Sequence, residues 1–341
     1  MSPGGPIHTL KGRLAQLARS VGAIFVAVVT VGVMLILSWN PYTAFVLSVT
    51  LVFAIWASGM NLLAGYTGQL PLMFGGIAGL AAYLLLYLTE TCRWPYWLAL
   101  PMALTGAGMA GVLLGLPSLR LRGFYFTLSS LVVQLALTLF FVVAIPFTGG
   151  DIGRTVQVQP RLFGVSLQGR YLTYTALAIL LSLTVFLSRL VRSHWGTFFR
   201  AIRDDDVLAG ALGINVTLYK VVAFAIGSTV AGIGGVLYMY TVGFISPRSY
   251  DVLLSLTIWL MVGFGGRATI LGPIVGAILL SPLPYLLQSV YLLRDIIYGT
   301  LVILTMLFLP EGIVGRLQRR ERAESRTIQP DLSVATSMRK A

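Results

Sequence analysis

Long apolar runs recur along this chain and constrain its fold more than any other feature. Each run is close to the roughly 20 residues that a helix needs to cross a bilayer. Hydrophobic residues make up 57% of the 341 residues and charged residues 10%, which leaves too few polar groups to cover a soluble surface. The pattern predicts an all-α polytopic membrane protein with about ten transmembrane helices, over 21–38, 44–64, 72–89, 96–116, 124–146, 172–190, 219–243, 252–265, 270–290 and 296–310.

Three details of these runs refine the prediction. The eighth run is short enough to be half of a broken helix, and Pro282 and Pro284 should kink the ninth. The first run follows basic residues as a signal peptide would, but it is long for one, so it is interpreted as a retained helix. The long loop over 147–171 falls after five spans, so a 5+5 inverted repeat is possible.

The basic residues predict the orientation, because Lys and Arg near helix ends stay on the cytoplasmic side. With ten spans, both termini share one side with most of the 24 basic residues. Six lie on the other side: Arg93, Arg154, Arg161, Arg170, Arg248 and Arg294. We therefore expect cytoplasmic termini, with a tail over 1–20, a transmembrane domain over 21–310 that includes a cytoplasmic loop at 191–218, and a basic, disordered tail over 311–341.

Several classes of function lack the residues they need. No Asp, Glu, Lys, Arg or His lies in the interior of a predicted span, where proton-coupled carriers keep a relay, although sodium coupling through backbone carbonyls stays open. His8 lies in the predicted N-terminal tail and His194 in the predicted cytoplasmic loop, Cys92 is the only cysteine, and no metal-ligand or nucleophile pattern occurs. We expect no catalytic residue, no metal and no cofactor. The net charge of +13 borders apolar runs, so we expect membrane lipid rather than nucleic acid as its partner, the basic tail at 315–326 included.

The stretch "RAIRDDDVLAGALGIN" over 200–215 places three consecutive acidic residues in the loop after the sixth span. Asp204 can cap a short helix whose first turn holds Asp205 and Asp206, and Gly213 can end it. The helix would be a membrane-surface helix or a docking helix for a cytoplasmic partner. Its further candidate residues are the preceding Arg200 and Arg203, the apolar stripe of Val207, Leu208, Ala211 and Leu212, and the small Ala209 and Gly210 that permit close approach.

Uncharged polar groups and glycines are the candidates for a translocation path. Asn61, Gln69 and Gln134 could offer amides to a zwitterion or an amide substrate. The "GFGG" break at Gly263 to Gly266, with Gly265 inside it, could offer carbonyls. The alternative is that Asn61 and Gln134 hydrogen-bond neighbouring helices.

The stretch from Arg200 to Tyr250 closely resembles permease subunits of ABC importers for branched-chain amino acids, in the subfamily called the M subunit. Similar motifs extend the resemblance from about Ser58 to Gly315: "SGMNLLAGYTGQL", "LRLRGFYFTLSSL", "TGGDIG", "MVGFGGRATILGPIVGA" and "FLPEGIVG". The resemblance implies that the helix at 204–212 is a coupling helix. It also implies as partners a second homologous permease, two cytoplasmic ATP-binding subunits and a periplasmic or extracellular substrate-binding protein, in the inner membrane.

Two departures from the family pattern put the substrate in doubt more than the fold. The segment "PLMFGGIAGLAAY" over 71–83 lacks a polar Ser and His that the family shows there, and a further glycine is usual where Ala268 or Thr269 stands. Permeases for urea and amides are closely similar, so those substrates stay open. A secondary carrier or channel, and an intramembrane enzyme, are the remaining alternatives.

Overall fold

The protein is described by a computed structural model that covers residues 40–286, with gaps at 120, 122, 158–160, 163–164 and 167–168, and residues 299–300. Within them, six helical segments are long and apolar enough to cross a membrane: Pro41–Tyr66, Phe74–Thr91, Tyr96–Ser118, Phe124–Val143, Arg170–Arg192 and Val216–Val242. These segments confirm a polytopic helical membrane protein. The predicted first span, the tenth span apart from residues 299–300, and both tails lie outside the described residues.

The described helices are α1 Pro41–Met60, α2 Phe74–Leu86, α3 Tyr96–Leu119, α4 Phe124–Val143, α5 Ile145–Thr148, α6 Arg170–Arg192, α7 His194–Asp204, α8 Asp206–Ala211, α9 Val216–Val242, α10 Val252–Gly265, α11 Gly272–Leu280 and α12 Leu283–Leu286. Two π-helical turns, Asn61–Tyr66 and Tyr87–Thr91, extend α1 and α2. The strands are β1 Arg154–Thr155, β2 Arg161–Leu162, β3 Val165–Ser166 and β4 Phe244–Ile245. Strands β1 and β4 pair antiparallel, as do β2 and β3.

Helix α9 packs against α1, α2 and α3 through glycines. A Cβ added at Gly227 would come closer than 3.0 Å to Leu63, one at Gly234 to Trp56, and one at Gly235 to the Ala78 carbonyl. Small residues at such positions let membrane helices approach closely, which supplies the van der Waals contact that holds them together. These four helices form the packed centre of the described bundle.

The other helices surround this centre. Helix α6 packs on α1, helix α11 packs on both α1 and α10, and α4 contacts α2 and α3. Helix α4 keeps large apolar side chains exposed, for example Val132 at 66% and Leu139 at 64%. A membrane helix can leave such a face toward lipid or toward a second subunit.

The bundle has two distinguishable ends. The end that carries residues 193–215, here called the loop end, also receives the C-terminus of the segment Pro41–Tyr66, where the Gly65 carbonyl accepts a hydrogen bond from Arg203. The opposite end, here called the far end, carries α5 and the β1–β4 pair. There Arg154 forms an ion pair with Glu90 at 3.5 Å.

The ninth predicted span is interrupted. Helix α11 ends at Leu280, and the short α12 starts at Leu283 after Pro282, so the expected kink near the prolines is confirmed. The eighth span matches its predicted bounds, 252–265. Asp251 caps the N-terminus of this 14-residue helix, because its Oδ1 accepts from the Leu254 amide at 3.1 Å. Helices α10 and α11 therefore form a tight hairpin around the turn at 266–271.

Candidate functional site

The loop between α6 and α9 contains two helices, of which sequence reasoning predicted only the second. Helix α7 buries Gly196, Phe199 and Ile202 on one face. Its aromatic residues pack around Tyr219 of α9, with the Phe198 and Tyr219 ring centroids 4.8 Å apart. The spacing of three residues between these buried positions was the signal that could have revealed α7.

The N-terminal cap of α8 corrects the sequence prediction. Asp204 was expected to be the cap, but it is the last residue of α7, and Asp205 takes the extended cap conformation. The Asp205 Oδ1 atom accepts hydrogen bonds from the amides of Val207 at 2.9 Å and Leu208 at 3.1 Å. Since three acidic residues are consecutive, any of them could have capped the helix, and the end of α7 selects the second.

Asp206 connects α8 to the membrane helix α9. Its Oδ2 atom lies 3.2 Å from Nζ of Lys220, and the side chains are only 18% and 9% exposed. A partly buried ion pair is less screened by salt than a surface pair, and losing one partner leaves the other charge uncompensated. Lys220, which sequence reasoning did not single out, therefore fixes α8 relative to α9.

Gly213 ends α8 in the left-handed conformation, with φ of +85°, as predicted. The amide of Gly213 donates to the Gly210 carbonyl and the amide of Ile214 donates to the Ala209 carbonyl, at 3.0 and 3.1 Å. This pair of bonds is the Schellman motif, which satisfies the last carbonyls of a helix. Helix α8 is therefore capped by hydrogen bonds at both ends.

The apolar side chains of α8 project away from the protein. Val207, Leu208 and Leu212 are 56%, 57% and 74% exposed, whereas Ala209 is buried. At Gly210 an added Cβ would meet only Val216, at 3.9 Å. The predicted stripe is thus an exposed apolar surface, flanked by the exposed Asp204 and Asp205. We call residues 204–213 the α8 surface.

The two arginines before α8 differ in their contacts. The Arg200 Nε atom donates to the Gly196 carbonyl of its own helix at 3.1 Å. The Arg203 Nη1 atom instead donates to the Gly65 carbonyl at 2.8 Å, in the π-helical turn that extends α1. Arg203 thus attaches the loop to the transmembrane bundle.

Arg267 adds positive charge near Arg203. Its guanidinium carbon lies 4.9 Å from the centroid of the Trp259 ring. Burial, and to a smaller extent the charge of Arg203, lowers the pKa of the Arg267 guanidinium from its usual value. The loop end therefore carries two neighbouring cations that favour an anionic group.

Gln134 lies fully buried where α4 meets α2 and α10. Its Oε1 atom accepts from the Gly76 amide at 2.7 Å, and its Nε2 atom donates to the Tyr250 carbonyl at 2.8 Å. Two serine hydroxyls also accept hydrogen bonds from backbone amides near the start of α2: Ser130 accepts from the Leu72 amide and Ser255 from the Gly75 amide. The first amides of a helix have no partner within it, and these side chains supply one inside the bundle. The geometry agrees with the helix-bonding alternative for Gln134.

We expect Gln134→Leu to destabilise the protein. The substitution leaves the Gly76 amide and the Tyr250 carbonyl without their partner, at a cost of about 1–3 kcal/mol for each buried group. Thermal unfolding of the purified protein in detergent measures the effect. Thr105→Val is the matched control, because Thr105 is exposed and bonds only within its own helix. Equal unfolding temperatures for both variants would contradict the prediction.

The remaining candidate path residues fall into two groups. Gln69 is buried, and within the described residues neither of its amide atoms has a hydrogen-bond partner. The others gather at the turn between α10 and α11. The Asn61 amide bonds the backbone of residues 268 and 269, Gly266 has φ of +128°, Gly265 packs against Gly272, and Gly263 has open space beside it. The turn at 266–271 and Gln69 lie far apart in sequence. Among the described residues, no hydrogen bond joins either of them to Gln134.

The fold and these sites define a helical, multi-pass membrane protein with a capped, exposed helix in the loop between α6 and α9. The family model for the permease component of branched-chain amino acid transport systems matches residues 42–309. The chain therefore belongs to this family of ABC importer permeases.

Individual relatives agree with the family. The chain is 28% identical to the high-affinity branched-chain amino acid transport permease LivM of Salmonella typhimurium, over 78% of this chain and 68% of the relative. It is also 28% identical to LivM of Escherichia coli, over 80% and 70%. LivH of Escherichia coli is 32% identical over 36% of this chain and 41% of the relative. No solved structure gives a significant match.

Proposed function

We propose that this chain is an M-type permease subunit that carries branched-chain amino acids across the cytoplasmic, or inner, membrane, with ATP hydrolysed on separate subunits. The observation that carries the proposal is the α8 surface, a helix capped at both ends, fixed to α9 by Lys220, and exposed on its apolar side. A helix that only completed the fold would bury those side chains. The names of the matched relatives supply the substrate class.

The α8 surface is the proposed docking site for an ATP-binding subunit. It consists of residues 204–213, with Arg200 and Arg203 beside it: Asp204, Asp205, Asp206, Val207, Leu208, Ala209, Gly210, Ala211, Leu212 and Gly213. The loop end is then cytoplasmic. A groove on the partner would receive the exposed leucines, and the absence of a side chain at Gly210 would let it approach the backbone.

The remaining partners follow from the family. A second, homologous permease subunit would cover part of the exposed apolar surface of the bundle, and membrane lipid the rest. A second ATP-binding subunit would dock on that permease, and a periplasmic or extracellular binding protein would deliver the substrate at the far end. The basic segment over 315–326, which lies outside the described residues, is proposed to bind anionic lipid headgroups.

We propose that Gln69 contacts the substrate in the translocation path. An amide buried without a partner is unfavourable, and a passing zwitterion could accept from its Nε2 and donate to its Oε1. The carbonyls at Gly263, Gly265 and Gly266 remain candidates, whereas both atoms of the Gln134 amide are bonded to the protein backbone. Asn61 has its amide occupied by the protein backbone, and it receives a different role below.

Gln69→Leu is expected to reduce ATP-dependent leucine uptake roughly tenfold, about the effect of losing one or two hydrogen bonds to a charged group. Complex assembly and thermal stability should be unchanged or slightly improved, because no protein partner loses a bond. Gln69→Asn keeps the amide and serves as the control. Normal uptake by the leucine variant would remove Gln69 from the path.

Co-purification tests the proposed partners. The tagged chain, extracted from its native membrane in mild detergent, should bring with it a second permease and two ATP-binding chains, identified by mass spectrometry. ATP hydrolysis by that assembly should rise when the binding protein and leucine are added. Isolation of the chain alone, with no ATP-binding protein under any mild extraction, would contradict the proposal.

A further inference from the structure

Asn61 forms a clamp between two segments that lie far apart in sequence. Its Nδ2 atom donates to the Thr269 carbonyl at 2.8 Å, and its Oδ1 atom accepts from the Ala268 amide at 2.9 Å. The residue is 3% exposed. Because one planar amide bonds both a donor and an acceptor of the turn at 266–271, it fixes the orientation of that turn relative to α1.

The clamped turn contains a conformation that its side chain disfavours. Ala268 has φ of +55°, a region that residues other than glycine seldom adopt. Such a residue persists where the surrounding structure determines it, and it often marks a functional site. The bond from the Ala268 amide to Asn61 is the tertiary contact that holds this residue in place.

Gly65 extends the clamp to the loop. A Cβ at Gly65 would come closer than 3.0 Å to the Asn61 Oδ1 atom and to the Ala268 amide nitrogen, so only glycine fits here. The Gly65 carbonyl accepts from Arg203 of α7 at 2.8 Å. The Arg203 side chain also lies on Gly68, where an added Cβ would be 3.2 Å from its Cγ atom.

Three segments of the chain are therefore connected by hydrogen bonds at the loop end. The first is the loop helix α7, through Arg203. The second is the π-helical turn at the end of α1, through Gly65 and Asn61, and the third is the α10–α11 turn, through Ala268 and Thr269. We call these five residues the Asn61 clamp. Its π-helical turn, Asn61–Tyr66, is a feature that occurs frequently at functional sites.

We propose that Asn61 and Arg203 are positioning residues that transmit a displacement of the loop helices to the α10–α11 hairpin. This inference rests on the proposed docking of an ATP-binding subunit at the α8 surface. A docked subunit that moves α8 also moves α7, which directly precedes it. Arg203 then displaces the π-helical turn at the end of α1, and Asn61 transmits the movement to the turn between α10 and α11.

The test compares leucine moved with ATP hydrolysed by the whole complex in proteoliposomes. Asn61→Leu should lower the ratio of leucine to ATP roughly tenfold, within the range that loss of a coupling residue gives, while the ATP-binding subunits stay bound. Adding Ala268→Gly relieves the positive φ but does not restore the two hydrogen bonds, so the ratio should stay low in the double variant. Recovery of the ratio would show that Asn61 only stabilises the turn, and it would overturn the inference. Ser58→Ala, a buried serine that bonds only within its own helix, is the control.

The outcomes separate the inference from the proposed function. A wild-type complex without ATP-dependent uptake would contradict the proposed function itself. A wild-type complex that transports, beside an Asn61→Leu complex with an unchanged ratio, would overturn the inference alone. If Asn61→Leu fails to assemble, Arg203→Met replaces it, and an unchanged ratio in that variant would also overturn the inference.

Discussion

Gly265→Ala is expected to prevent the α10–α11 hairpin from forming and to remove most of the folded protein from the membrane. An added Cβ would come closer than 3.0 Å to the carbonyl of Gly272 and to the amide nitrogen of Gly276. These are backbone atoms of the facing helix, so no side-chain rotation can relieve the overlap. Overpacking of this kind costs about 3 kcal/mol or more where the backbone must shift. Fluorescence-detected size exclusion of the tagged protein measures the folded fraction.

Gly263→Ala is the matched control on the same helix. The nearest atom to an added Cβ there is the Arg267 Nη2, at 3.9 Å. Alanine fits this space, and it favours a helix interior over glycine by about 0.5–1 kcal/mol. The control should therefore fold as well as the wild type or better. Equal yields for both alanine variants would contradict the packing described for α10 and α11.

Gly210→Trp is expected to abolish docking of the ATP-binding subunit without affecting folding. The tryptophan side chain has room within this protein, because an added Cβ at Gly210 meets only Val216 at 3.9 Å, and the residue lies on the exposed α8 surface. A partner that approaches the backbone would be held away from it. Recovery of the ATP-binding subunits should fall at least tenfold, which needs a loss of only about 1.4 kcal/mol.

Leu218→Trp provides the control for this experiment. Leu218 is 50% exposed near the start of α9, and it lies outside the α8 surface. A helix that merely rests among lipid headgroups would accept tryptophan at either position, since tryptophan favours the membrane interface. Normal recovery of the ATP-binding subunits with Gly210→Trp would therefore favour the surface-helix alternative.

Six of the ten predicted spans correspond to membrane-length helical segments among the described residues, because bilayer thickness sets the length of an apolar run. The run at 252–265 coincides with α10, and the run at 124–146 ends three residues after α4. Gly213 was also predictable, since a short helix followed by glycine has a local explanation. These features depend on neighbouring residues and on the membrane, both of which a sequence displays.

Features that depend on distant residues could not be predicted in the same way. Asp205 caps α8 because α7 ends at Asp204, and α7 itself is held by Tyr219 of a later helix. The partners of Gln134 come from residues 76 and 250, and those of Asn61 from 268 and 269. No local pattern encodes these pairs, so the amides were equally consistent with a translocation path.

The structure also gives a reason for one departure from the family pattern. A glycine is usual in the family where Ala268 or Thr269 stands, and Ala268 has the positive φ that glycine adopts freely. The Asn61 clamp holds this alanine in a conformation that costs about 1–2 kcal/mol.

Uptake of labelled leucine by proteoliposomes tests the central claim most directly. The vesicles contain either the complete assembly or this chain with its partner permease alone, with the binding protein outside and ATP or no nucleotide inside. Leucine should accumulate only with the complete assembly and ATP, and unlabelled isoleucine or valine should compete. Leucine uptake without ATP, or accumulation of urea in place of branched-chain amino acids, would contradict the account.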